Sequence, residues 1–245
     1  MAKKPRTPPP PRRVQAPKQR HTGGGLTPER RKTILWGAGG AVAIALVVVL
    51  VVVFTGGKSG KSGNPQSVRS ALAAAGCTLS TSGAAPAAQH ISSFDTTVKY
   101  TTYPPVSGKH YYIPAIWGNY NQAVDPRQAV HNEEHGGIVI WVGPDVPQAE
   151  RKQISDFYDE SPNAMLVTPI DDESKGVKYP AHAKPDSKTY LTAWTVDIKN
   201  GNVTGGQQVI ASCPRFGEKA FTAFRDEFRG TGPERFPVSS LTPGT

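Results

Sequence analysis

An uncharged run from Ile34 to Phe54, wholly apolar from Ala41 to Val53, constrains this chain more than any other feature. As a helix it spans about 31 Å, close to the hydrocarbon thickness of a bilayer. A cleaved signal peptide has a shorter apolar region followed by a small-residue cleavage site. Phe54-Thr55-Gly56-Gly57 follows instead, so the run reads as an uncleaved transmembrane helix, residues 34–54. It divides the chain into a short tail before the membrane and a long segment after it.

The two sides differ in charge. Ten of the 28 Lys and Arg precede residue 34, against the single acid Glu29, whereas the segment after Phe54 carries 18 basic and 18 acidic residues. The net charge of +9 therefore belongs to the tail, and the large segment offers no basic surface for nucleic acid. The positive-inside rule keeps residues 1–33 in the cytoplasm, as a disordered basic tail able to lie on anionic lipid, and sends the rest outside. Cys77 and Cys213 both lie in the outer segment, where disulfides persist, and are expected to pair.

Residues 55–64 form a Gly/Ser linker by composition. Asn64-Pro65 opens a helix that Gly76 stops. Thr78 to Ala88 is small and polar, and reads as irregular. Strand signals occur at Thr96–Thr101, Gly137–Val142, Ala164–Thr168 and Tyr190–Val196. One helix follows Asp145 and ends at Ser161-Pro162, with Ile154, Phe157 and Tyr158 on one stripe. A second runs from about Arg215 to Phe228, its aromatic stripe reading as core. Asn200-Gly201-Asn202 is a turn, and Gly230-Thr231-Gly232-Pro233 ends the ordered fold. The expected architecture is a single α+β domain, residues 65–236, with a small, mostly antiparallel sheet, flanking helices and a disordered tail at 237–245.

The chemistry of the domain concentrates in His131-Asn132-Glu133-Glu134-His135-Gly136-Gly137. Two histidines four residues apart share one face of a helix about 6 Å apart, within reach of one metal ion, whereas in a strand they would be about 13 Å apart. A shared ion therefore requires a helical turn from Ala129 to His135, ended by the glycines. The segment also fits the H-x-x-E-H pattern of inverted zinc peptidases, in which Glu134 is the general base. No nucleotide loop or nucleophile elbow accompanies it, and Asp171-Asp172-Glu173 reads as a solvated loop.

Tyr103-Pro104-Pro105-Val106-Ser107-Gly108-Lys109-His110, then Gly118-Asn119-Tyr120, then Val130 to Gly137 form a series that resembles a bacterial domain family of unknown function, the one numbered 3105, common in actinobacteria. The resemblance covers about Ser67 to Phe228 and implies a membrane-anchored, exported domain. His110, His131, Glu134 and His135 fall on its motif positions, and His90 is similar to a further family histidine. Members often carry a cysteine where this chain has Ile116-Trp117-Gly118, so their disulfide pattern does not transfer.

These residues leave three readings open. In the first, His90, His110, His131 and His135 converge on zinc or copper, with Glu134 orienting a ligand or binding alongside. In the second, the same side chains are a hydrogen-bonded network in an envelope module whose partner is a protein or the cell wall. The third is a metal-dependent hydrolase. Enzymatic turnover is not required by any motif present, and apart from membrane lipid at the anchor no partner is specified.

Overall fold

The structure is a computed structural model and describes residues 65–170, 174–181, 183, 186, 188–200 and 202–245. The expected tail, transmembrane run and linker at 1–33, 34–54 and 55–64, and the acidic run Asp171-Asp172-Glu173, lie outside these residues. Among the described residues no helix is long and apolar enough to cross a membrane.

A mixed five-stranded sheet with four α-helices makes this an α+β arrangement. In chain order the described elements are α1 (Pro65–Ala74), β1 (Thr78–Gly83), β2 (His90–Ile91), β3 (Val98–Lys99), β4 (His110–Tyr111), α2 (Pro126–Glu134), β5 (Ile138–Val142) and α3 (Gln148–Glu160). They continue with β6 (Met165–Pro169), β7 (Val177–Lys178), β8 (Thr189–Lys199), β9 (Asn202–Cys213), α4 (Glu218–Phe228) and a 3₁₀ turn, Val238–Ser240. The main sheet runs β1-β9-β8-β5-β6. Its pairings are antiparallel except β5 with β6, which α3 joins as a crossover. Two short parallel pairs, β2 with β4 and β3 with β7, lie outside it.

Both faces of the sheet are covered, which is why all five residues of β5 are buried. Ile138, Ile140 and Val142 point to one face, where Val68 and Leu72 of α1, Ile154 and Phe157 of α3, and Phe221 and Phe224 of α4 pack. The aromatic stripe of α4 is thus core. Val139 and Trp141 point to the other face, against Val98, Tyr100, Val106, Trp117 and Val130. That second face is covered by α2 and by long irregular chain between β1 and α2. Disulfide Cys77–Cys213 closes the first face, joining the start of β1 to the end of β9.

Several expectations need correction. Thr78–Gly83 is a strand, paired throughout with β9, although most of its side chains are exposed. Backbone pairing holds it, which leaves no apolar alternation to read. The turn at Asn200, which has φ +54°, leads into the twelve-residue β9, a strand absent from the expected set. Of the expected strand Thr96–Thr101 only Val98–Lys99 pairs. The helix after Asp145 starts at Gln148, because Pro147 is extended at ψ 148° and makes no side-chain cap. The last helix starts at Glu218, after the extended Gly217.

The chain beyond Pro233 is ordered, not a loose tail. Leu241 is buried and its carbonyl accepts from Ala164 N–H. Gly244 and Thr245 exchange backbone hydrogen bonds with Trp117 at 3.0 and 2.9 Å. At the same sheet edge β6 is covered in turn: Val167 donates to Gly118 O and accepts from Tyr120 N–H, both at 2.9 Å.

Candidate metal centre

Asp125 caps α2 by accepting from Arg127 N–H at 2.9 Å, with Pro126 in the first turn. The helix runs through His131 and Glu134, and Gly136 at φ +93° ends it. The required helical turn is therefore present. Each side chain of the His131–His135 segment has its own task, set by its direction around the helix.

Asn132 is fully buried and grips the backbone of Ala115, accepting from its N–H and donating to its carbonyl, both at 2.9 Å. This fixes the loop after β4 against α2. Arg127, also buried, forks onto Asp125 at 2.8 and 2.7 Å and donates to Phe94 O at 2.6 Å. Phe94 stacks on Tyr111 with centroids 4.0 Å apart. Tyr111 O in turn accepts from His131 Nδ1–H at 2.7 Å. A chain of contacts thus runs from the helix cap to the orientation of one imidazole.

His90, His110, His131 and Glu134 bring one donor atom each within 4.8 Å of one another. The parallel pair β2–β4 places His90 directly opposite His110. Glu134, fully buried, lies between them: its Oε2 is 2.9 Å from His110 Nε2 and 3.2 Å from His90 Nε2, and its Oε1 accepts from Ala88 N–H. Ala88 is held at φ +56°, a conformation that costs a non-glycine residue of order 1–3 kcal/mol. The strain aims the Ala88 N–H at the carboxylate just before His90.

His110 Nδ1 donates to Gly108 O at 2.7 Å. The two anchored rings, His110 and His131, therefore carry their hydrogen on Nδ1, because a carbonyl can only accept. Nε2 of each is left to face the cluster. Such backbone anchoring is the usual outer support of a metal-binding histidine. For His110 it sets a lone pair against a carboxylate oxygen at 2.9 Å, an arrangement that needs either a second proton or a metal ion between the two. A tetrahedral zinc with donors at about 2.0–2.1 Å holds them roughly 3.3 Å apart, inside the span observed here.

The electrostatics favour an anionic Glu134 beside a neutral His131. Burial pushes the Glu134 carboxyl up, but the hydrogen bond that a doubly protonated His110 donates, the Ala88 N–H, and the charge of His110 and His90 when protonated outweigh it and hold the pKa at about 2. Burial pushes His131 down to about 4 against the opposing pull of Tyr111 O, and the His135, His110 and His90 rings add to the fall. At neutral pH the His131 ring is neutral, so its free nitrogen can coordinate.

His135 is placed apart from these four. Its Nε2 lies 3.0 Å from Glu234 Oε2, its ring is 4.6 Å from Phe236, and with His131 and Glu234 it forms a second group of donors. Glu234 reaches it because Gly136 and Gly232 let two backbone segments touch. A Cβ on Gly232 would lie 2.3 Å from Gly136 N and 2.6 Å from Glu133 O. Gly232→Ala is therefore expected to cost roughly 1–3 kcal/mol, read from the denaturation midpoint, and unchanged stability would show that the segment moves freely.

Glu133 points away from the cluster into the core and is fully buried, with neither carboxylate oxygen hydrogen-bonded. Burial raises its pKa well above the usual range. Thr192 opposes the rise, but its hydroxyl, which accepts from Trp141 Nε1–H at 2.8 Å, donates to Val139 O at 3.4 Å. The folded state keeps the Glu133 proton after the unfolded chain has lost it, so stability falls as pH rises above about 4.5. Glu133→Met should then stabilise the fold by roughly 1–4 kcal/mol at neutral pH, and by more at pH 8 than at pH 5. Urea midpoints at the two pH values test this, and a destabilised variant would overturn it.

Residues 90–204 match the model of a family described as a protein of unknown function, DUF3105. The match spans 115 of the 245 residues, a little under half of the chain. No curated protein and no solved structure matches the chain. The DUF3105 match holds His90, His110, His131, Glu134 and His135, and it stops short of Glu234 and of both cysteines. Glu234 went unread in the sequence, as did the supporting roles of Asn132 and of the Gly108 and Tyr111 carbonyls. The Gly230-Thr231-Gly232 run was visible, but as a stop signal rather than as the close approach it makes.

Proposed function

We propose that the described domain binds one transition-metal ion through His90, His110, His131 and Glu134. The observation that carries this reading is the pair of Nδ1-anchored imidazoles whose remaining nitrogens converge on a buried carboxylate. Three imidazoles and one carboxylate suit Zn²⁺ or Cu²⁺. Cu⁺ prefers sulfur, and both cysteines are joined in the disulfide while Met165 is buried in the core on the other face of the sheet.

The same geometry favours Glu134 as a ligand over Glu134 as the base of a hydrolase, since Oε1 is held by Ala88 N–H and Oε2 by the histidines. The domain is accordingly a binding or handling module in this reading. The apolar run Ile34–Phe54 and the basic residues before it support a single-pass anchor with the domain outside the cell membrane.

Elemental analysis of the full chain tests the site, after exposure to zinc or copper with a weak chelator present. Wild type should retain close to one equivalent, because both donor groups share His131. His110→Ala and Glu134→Gln should retain almost none while keeping their far-ultraviolet spectra. Folded wild type without metal would point instead to a protonated His110–Glu134 network and an envelope partner.

A further inference from the structure

His131 belongs to both donor groups, the inner His90, His110 and Glu134 and the outer His135 and Glu234. Its Nδ1 is held by Tyr111 O, which leaves one coordinating nitrogen for two sets. One ring nitrogen serves one ion, so the two sets are alternatives. Resting on the metal reading above, we propose that His131, His135 and Glu234 form an outer loading seat, from which an ion passes to the inner site by exchanging ligands around His131.

The two seats differ in the way such a route requires. The His110 and Glu134 side chains are fully buried, whereas those of His135 and Glu234 are 15% and 34% exposed. The outer seat offers three protein donors and the inner seat four, so water fills more of the outer coordination shell and exchange there is faster. The His131 and His135 rings stand 4.6 Å apart, near perpendicular, one helical turn from each other. The seats are also rigidly joined, since Glu234 N–H donates to Glu134 O at 3.0 Å. An ion held by His131 can release Glu234 and His135 while gaining Glu134 and His110, and it is never free of protein donors during the move.

His90 offers a competing path, because its side chain is 37% exposed over the inner site. Stopped-flow transfer of zinc from a coloured weak chelator to the full chain decides between the two, using wild type, Glu234→Gln and His135→Gln. The expected result is an affinity within about threefold of wild type in both variants, with a loading rate lower by about tenfold or more. Unchanged rates with unchanged affinity would overturn the proposal and place ingress past His90. Affinity falling in step with rate would also overturn it, by making His135 and Glu234 ligands of the resting site. If wild type takes up no zinc, the metal reading itself fails, which the stoichiometry shows separately.

Discussion

Saturating the full chain with Zn²⁺ is expected to raise its melting temperature by roughly 8–16 °C. An ion that binds only the folded state stabilises by about 4 kcal/mol at a thousandfold excess over its dissociation constant. In a domain of this size each kcal/mol moves the midpoint by about 2–4 °C. The inner set cannot exist in the unfolded chain, because His90 and His110 meet only through β2–β4 pairing and Glu134 arrives from α2. Glu134→Gln should melt at the same temperature with and without zinc. A chelator should return loaded wild type to its metal-free midpoint. An equal shift in the Glu134→Gln variant would mean that zinc acts elsewhere on the molecule.

Removing the disulfide should be comparably severe. Cys77 and Cys213 are 136 residues apart in sequence, and closing so long a loop is worth about 5 kcal/mol on the chain-entropy argument. A compact denatured state reduces that figure. The bond fastens the junction of α1 and β1 to the last residue of β9, just before α4, and α1 and α4 pack on the same sheet face. Cys77→Ala with Cys213→Ala should therefore lower the denaturation midpoint strongly. Metal stoichiometry should survive wherever the variant remains folded, because the donors sit on the opposite face. A loss below about 1 kcal/mol would show that the sheet alone fixes these ends.

What could be read in advance follows from where the signals are local. The motif His131 to Gly137 contains its own geometry: the four-residue spacing needs a helix, and the glycines end it. Asp125-Pro126 would have fixed the helix start, as a cap followed by a first-turn proline. The stripe of α4 and the buried run of β5 were legible because apolar period reports burial directly. β1 and the first half of β9 were not, since their exposed side chains carry no alternation and their cohesion lies in backbone pairing. Glu234 was beyond reach for a different reason. It meets His135 across 99 residues through two glycine backbones, and no pattern within either segment points to the other.

The sheet's two borders bear on how this protein behaves in a crowd of its own copies. On one border the outermost strand, Met165–Pro169, has the middle of its backbone occupied by residues 118–120 and ends in a proline. On the other, Thr78-Leu79-Ser80-Thr81-Ser82-Gly83 exposes hydroxyls and no continuous apolar row. Neither border is an apolar template on which a second chain could add a strand. High local concentrations should then be tolerated without sheet-to-sheet aggregation.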